Sequence, residues 1–388
     1  MSRRSLTIFV SHPSSFLTDC NAHGDGLAAH EFIRRLAGRG HDLHVAVQSV
    51  ELEGDLPSNV TLYPIERRSP ADSLKHVEYA VRVWRCYQQI ARTHEIDVIH
   101  QLNPVRPGLS VLLSFCAPPL LLGLYVPSWP SVSGSQRSEK QGALRAVARS
   151  LMAGADRIQQ HRAAALLLST PAAQSRLRVP NAIAKSHIIP YGVDTDTFTP
   201  TQNGKEADED LRVLYLGRLD RQKGIFILLD AMETVFRKHP NSILVVAGSG
   251  QHEEEVRTRV ESHPHRENIR LLGHVERERV PDVIGRSSVL CIPSLGEPFG
   301  LGALEGMAMG KPIVGTDAGG LAHIIPDEGG YTVPPGDPQA LAEALTELLS
   351  SPERRQKTGE HNRHVVEENY AWEAVLNGLE HVYYRVQQ

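Results

Sequence analysis

Cysteine is scarce in this 388-residue sequence: Cys20, Cys86, Cys116 and Cys291 lie far apart, with no C-x-x-C pair and no histidine at ligand spacing. That excludes a disulfide framework and a structural zinc site, and a reducing, cytoplasmic setting is expected. Aromatic residues make up only 5% and do not alternate with basic ones, so nucleic acid is not an expected partner. Neither charge sign dominates, with 41 Lys+Arg against 45 Asp+Glu. With 41% hydrophobic residues, this composition excludes a disordered or fibrous chain and suits two globular domains. Long apolar runs are missing too. At the start, MSRRSLTIFVSH, the apolar stretch covers only Leu6 to Val10, shorter than a signal-peptide core, so export is not expected. From Pro107 to Gln136 there is no Asp, Glu, Lys or Arg, but Pro118, Pro119, Pro127 and Pro130 leave no straight span of about 20 residues. A buried helix (Leu109 to Cys116), a turn and a buried strand (Leu120 to Val126) are expected there instead.

The near-neutral total hides an asymmetry. Residues 1–200 hold 21 basic and 16 acidic side chains, and the remainder hold 20 and 29. Much of the positive excess sits where Arg137, Lys140, Arg145, Arg149, Arg157 and Arg162 face only Glu139 and Asp156. This is either a solvated helix face or a surface that attracts anionic headgroups or a phosphate-bearing acceptor. On the second reading the protein would touch the inner membrane face peripherally.

Short apolar runs alternate with longer amphipathic stretches. Strands are expected at Leu6 to Val10, Leu43 to Gln48, Val60 to Ile65, Ile96 to His100, Leu120 to Val126 and Ala165 to Thr170. After the polar stretch Thr199 to Leu211 they resume at Arg212 to Leu216, Ser242 to Ala247, Ile269 to Leu272, Val289 to Pro293 and Ile313 to Thr316. The expected fold class is α/β, with two Rossmann-like, doubly wound parallel-sheet domains over 1–200 and 205–370. A terminal helix within 371–388 is expected to pack back on the first domain. Open sheets of this kind bind ligands beyond the carboxyl ends of their strands, so the chemistry is sought just after strands, in a cleft between the domains.

The most informative stretch is PSLGEPFGLGALEGMAMGKP, from Pro293 to Pro312. It follows a strand, turns at Glu297-Pro298-Phe299-Gly300 and enters a helix near Leu301, whose first N–H groups and dipole favour a phosphate. Glu297 and Glu305 bracket this element, and a carboxylate accepts two hydrogen bonds from adjacent hydroxyls, as in a ribose diol or a sugar ring. The bland alternative makes Glu297 a capping acid and Glu305 a solvated helix residue. In YLGRLDRQKG, Arg218 and Lys223 fall in a Gly-bounded loop after another strand, where two cations would neutralise a diphosphate. Alternatively they are ordinary surface charges. The loop His23-Gly24-Asp25-Gly26 after the first strand lacks the third glycine of a dinucleotide fingerprint.

Together with VVAGSG (Val245 to Gly250), IIPYGVDTDTF (Ile188 to Phe198) and HGDGLAAHEFIRRLAGRGHDL, these motifs resemble family 4 of the retaining GT-B glycosyltransferases, over nearly the whole chain. The resemblance implies that Arg218 and Lys223 hold a donor diphosphate, Glu305 the ribose hydroxyls and Glu297 the donor sugar. It implies backbone contacts from Gly217, Phe299, Gly300 and Leu301, closure by Gly24 from the first domain, and contact of the base with the main chain at His274 and Val275. It also implies no metal. Asp194-Thr195-Asp196 looks like a D-x-D metal motif but belongs to the interdomain segment. The sequence departs from the family at Tyr125, where many members place a histidine that reaches the donor sugar, and in having HGDG instead of a Gly-Gly pair. His100, ending the strand IDVIH, is a candidate for acceptor or sugar contact, or a satisfied structural histidine.

The reaction so implied moves a hexosyl group from a nucleoside-diphosphate sugar, a UDP-sugar by expectation, to a hydroxyl acceptor with retention. The acceptor is lipid-linked or anionic on the charge reading above, and polysaccharide, glycolipid or glycoconjugate synthesis is the expected setting. Alternatives are a nucleotide-sugar epimerase or phosphorylase of the same architecture, an NAD(P)-dependent oxidoreductase and a non-catalytic nucleotide-binding module.

Overall fold

The computed structural model describes residues 4–13, 17–20, 24–66, 75–103, 108–127, 143–200 and 211–388. The described chain divides into two compact units. One takes in residues up to Val126, the stretch through Tyr191 and Val375–Gln388; the other takes in Gly192–Ala374.

The first unit is built on β1 (Thr7–His12), β2 (Leu17–Thr18), β3 (Asp42–Val47), β4 (Val50–Glu51), β5 (Val60–Pro64), β6 (Val98–Gln101), β7 (Leu120–Tyr125), β8 (Ala165–Leu168) and β9 (Ser186–Ile188). Seven of these form one parallel sheet in the order β5-β3-β1-β6-β7-β8-β9, and β2 pairs with β4 apart from it. The central strands are buried along their length because helices cover both faces, which is why they read as continuous apolar runs. These helices are α1 (Gly24–Gly38), α2 (Lys75–Ile90) and α3 (Ala143–Arg162). Tyr79, Val83, Tyr87 and Ile90 of α2 pack with Phe9, Ile99, Leu122 and Leu166 of the sheet.

The helix expected over Leu109 to Cys116 is a turn followed by one 3-10 turn, Leu113–Phe115. Gly108, at φ +77°, and Pro118-Pro119 leave too few residues between them to nucleate an α-helix. The short strand β9 escaped the sequence reading because SHI carries no apolar alternation.

The second unit contains β10 (Arg212–Leu216), β11 (Ile243–Ala247), β12 (Ile269–Gly273), β13 (Val289–Ile292), β14 (Ile313–Thr316) and β15 (Gly330–Val333). They form a parallel sheet ordered β12-β11-β10-β13-β14-β15, the doubly wound order. Its direction of winding reverses between β10 and β13, the switch point beyond which such sheets bind ligands. The helices are α4 (Ile225–Lys238), α5 (Glu253–Glu261), α6 (Val280–Gly285), α7 (Leu301–Ala308), α8 (Leu321–Ile324), α9 (Pro338–Ser350) and α10 (Pro352–Asn369). The edge strand β15 was not anticipated, since GYTV opens on the second of two glycines and is only partly buried.

The last helix, α11 (Trp372–Arg385), runs from the second unit into the residues that group with the first. Three of its side chains bond there: Tyr383 Oη to His100 Nδ1 (2.7 Å), Glu380 to His41 Nε2 (3.1 Å) and Arg39 (3.0 Å), and Tyr384 Oη to the Arg4 carbonyl (2.7 Å).

Candidate functional site

The candidate site lies in the second unit at the carboxyl ends of its strands. The loop after β10 makes a 3-10 turn over Arg221–Lys223, capped by Asp220, whose Oδ1 accepts the Lys223 N–H at 2.8 Å. Gly224 ends the turn at φ +75°, and a Cβ there would lie 1.9 Å from the Pro293 carbonyl oxygen. Only glycine therefore lets this loop press against the end of β13. The Leu295 N–H donates to the Gln222 carbonyl at 2.8 Å, closing the two loops across the switch point.

The closure brings two predicted residues together. Lys223 Nζ donates to Glu297 Oε2 at 2.6 Å, and Ser294 Oγ donates to the same oxygen at 3.1 Å. Both charged side chains are mostly shielded, 20% and 12% exposed, so solvent weakens this pair less than a surface one. The main chain of Glu297 is fixed from a third loop: the Gly320 N–H donates to its carbonyl at 2.6 Å. Gly319 and Gly320 pack so tightly on residues 297–299 that no side chain fits at either.

After this turn, α7 begins at Leu301, with Gly300 at φ +108° as its cap. The Ala303 and Leu304 N–H groups donate to the Gly300 carbonyl at 2.9 and 3.2 Å, and helix geometry leaves those of Leu301 and Gly302 without an acceptor inside the helix. Phe299 itself is buried. Glu305 does not join the Lys223–Glu297 pair. Its Oε1 accepts from Arg277 Nη1 at 2.5 Å, and the carboxylate is 10% exposed. Arg218 is largely exposed and pairs with Asp220 at 3.1 Å.

The glycines of the LGR and VVAGSG segments hold loops against one another. The Gly217 N–H donates to Ala247 at 3.0 Å and the Gly248 N–H to Gly273 at 2.7 Å, and a Cβ on Gly248 would lie 1.9 Å from the Gly217 oxygen. His274, just past β12, is exposed and 3.7 Å from Glu276, and Val275 follows it in the same loop.

The first-unit candidates stand differently. His100 is 1% exposed and both ring nitrogens are used: Nε2–H donates to the Gly123 carbonyl at 2.8 Å and Nδ1 accepts from Tyr383. Burial pushes its pKa down to about 4, so the ring is neutral at physiological pH. Tyr125 is a core residue, 2% exposed, with the Arg176 guanidinium 6.0 Å from its ring. Both side chains are buried, His100 with the bonds of the structural alternative given above and Tyr125 in the core. Gly24 opens α1. His23 and the loop Ser128 to Gln141, with Arg137 and Lys140 of the basic cluster, lie outside the described residues; of the cluster's residues on α3, Arg157 and Arg162 are exposed. Asp194 of the D-x-D stretch caps a turn, its Oδ1 accepting from the N–H groups of Asp196 (3.1 Å) and Thr197 (3.0 Å). Among the described residues no three His, Cys, Asp or Glu side chains gather as a metal site would require, and no helix is long and apolar enough to cross a membrane.

Asp220, Arg277, Ser294 and Gly319-Gly320 are site residues the sequence reading passed over. Asp220 had a signal, three positions before Lys223 as a capping acid. Arg277 had none, since its partner Glu305 is remote in sequence.

Comparison with solved structures defines the architecture first. Sucrose-phosphate synthase from Thermosynechococcus elongatus aligns over 98% of this chain and 99% of its own at 20% identity, with a TM-score of 0.76. HepE of Anabaena, in complex with UDP, aligns over 98% and 99% at 16% identity, with a TM-score of 0.71. The fold is that of GT-B glycosyltransferases. Within it, residues 198–365 match the family model described as glycosyl transferases group 1. Spore coat protein SA of Bacillus subtilis (strain 168) is 30% identical over 227 residues, which cover 53% of this chain and 60% of that protein. The chain spans about half to three fifths of the length of the first curated relatives it matches.

Proposed function

We propose that this protein is a retaining glycosyltransferase that moves a hexosyl group from a nucleoside-diphosphate sugar, a UDP-sugar by preference, to a hydroxyl acceptor. The observation that carries the reading is the Lys223–Glu297 pair across the β10/β13 switch point, in the unit that matches the glycosyl transferases group 1 pattern. A cation and a carboxylate held within hydrogen-bonding distance suit a ligand that has a diphosphate next to a polyol. The UDP complex of HepE supports uridine as the first base to try.

In this mechanism the sugar–phosphate bond breaks as the acceptor oxygen bonds the anomeric carbon on the same face. The acceptor hydroxyl loses its proton to the departing β-phosphate, so the products are a glycoside and a nucleoside diphosphate. Charge grows on that phosphate while the sugar becomes oxocarbenium-like. Lys223, Arg218 and the N–H groups at Leu301 stabilise the leaving group with side-chain and main-chain donors. Glu297 orients the sugar hydroxyls. Its Oε2 already accepts two hydrogen bonds, which favours a binding role over nucleophilic attack. Glu305 holds the ribose, and the first domain receives the acceptor.

Ligand-dependent melting tests the reading. UDP or GDP at 100-fold over its dissociation constant stabilises its binding site by about 2.7 kcal/mol. A shift with NADH and none with any nucleoside diphosphate would overturn the assignment in favour of an oxidoreductase. A nucleotide-sugar interconverted without an acceptor would point to an epimerase.

A further inference from the structure

We infer that Arg277 is a positioning residue for the nucleotide ribose: it clamps the Glu305 carboxylate and so sets how strongly the protein favours a ribonucleotide over one without ribose hydroxyls. This rests on the proposed assignment of the ribose to Glu305 and goes beyond it by adding a residue outside both sequence motifs.

Glu305 sits in the second turn of α7 with Ala303, Leu304, Gly306 and Met307 buried around it. A carboxylate so enclosed needs a cation, and Arg277 Nη1 reaches Oε1 at 2.5 Å from the 3-10 turn Arg277–Arg279 beyond β12. The guanidinium is itself held, its carbon lying 5.0 Å above the ring of Phe198, which is 1% exposed. The Phe198 main chain is pinned in turn: its N–H donates to the Asp194 carbonyl at 2.9 Å and its carbonyl accepts from Arg363 at 2.7 Å. Arg277 is therefore stacked on a fixed platform on one side and bonded to Glu305 on the other.

A carboxylate offers about four lone-pair sites, and no other hydrogen bond reaches Glu305 side-chain oxygens from the described residues. The clamp leaves the remaining sites to two adjacent hydroxyls in one orientation. It also offsets the repulsion between Glu305 and a diphosphate brought close to it. A flexible carboxylate without the clamp would have to be ordered at each binding event, which weakens the contact.

The test compares UDP with 2′,3′-dideoxy-UDP by titration calorimetry, using the guanosine pair if GDP is the nucleotide that binds. Wild type is expected to bind UDP at least about tenfold more tightly than the dideoxy analogue, the scale of one or two hydrogen bonds to a charged acceptor. Arg277→Ala should reduce that ratio to below about threefold, mainly by weakening UDP, with its folding checked by melting temperature. Arg277→Lys should give an intermediate ratio, and it serves as the test if the alanine variant does not fold. A wild-type ratio retained in either variant, including equal weakening of both ligands, would overturn the inference and leave Glu305 as the ribose holder. A wild type that binds both analogues equally would instead overturn the ribose assignment itself.

Discussion

The two units share a doubly wound parallel sheet but use polar side chains in opposite ways. In the first, His100, His41, Glu380 and Tyr383 are buried and bond to one another or to main chain, and burial holds the pKa values of His44, His100 and His187 down. In the second, charged groups stand in half-shielded pairs at the ends of strands: Lys223 with Glu297, Arg277 with Glu305, Arg218 with Asp220. A fully satisfied interior polar group stabilises a fold. A pair with one face open can exchange a partner for a ligand, so the second unit is where the chemistry is to be sought.

The sharpest way to break this contrast is to remove one member of a pair. Lys223→Ala should lower turnover of a nucleotide-sugar by about 10² or more, since it deletes a cation from the leaving group, while the melting temperature stays near wild type. Near-normal turnover would mean that the pair is structural, as in the first unit. Next in size is Gly248→Ala, which forces a Cβ against the Gly217 oxygen at a φ of +140°; a loss of about 3 kcal/mol or more in chemical denaturation is expected. An unchanged midpoint would show that the loops after β10 and β11 are not locked.

Acid separates the units more gently. The unfolded chain takes up a proton on each histidine near pH 6.5, whereas His100 resists it down to about 4. Its contribution is therefore complete above pH 6.5 and is lost as pH falls toward 4, by at most about 1.4 kcal/mol per unit of pH. Hydrogen exchange should show the first unit, where burial holds down His44, His100 and His187, loosening before the second, where it holds down His263. Simultaneous loosening would count against the contrast. Smallest is Tyr383→Phe, which leaves His100 Nδ1 without its donor and should cost about 1–2 kcal/mol in the first unit. Nucleotide affinity should not change.

How legible all this was in the sequence follows the same division. The strands Arg212 to Leu216 and Ile313 to Thr316 were read at their observed limits, because buried parallel strands are short apolar runs between polar turns. Lys223 and Glu297 were legible separately, in two motifs after two strands; their contact was not, because it depends on Gly224 and Gly320, whose role is fixed by atoms distant in sequence. For His100 and Tyr125 the sequence left the choice open for a physical reason: it marks a strand end but not which way the side chain turns, and here both are buried. Arg277 was illegible because nothing local marks an arginine whose partner and platform, Glu305 and Phe198, lie on other segments.

The C-terminal helix has a consequence for synthesis. Nearly all of the second unit is the stretch Gly192–Ala374, which precedes Val375 in the chain. The first unit also needs Val375–Gln388, which carry the partners of His41 and His100. Synthesis therefore delivers Gly192–Ala374 before Val375–Gln388 can supply those partners to the first unit.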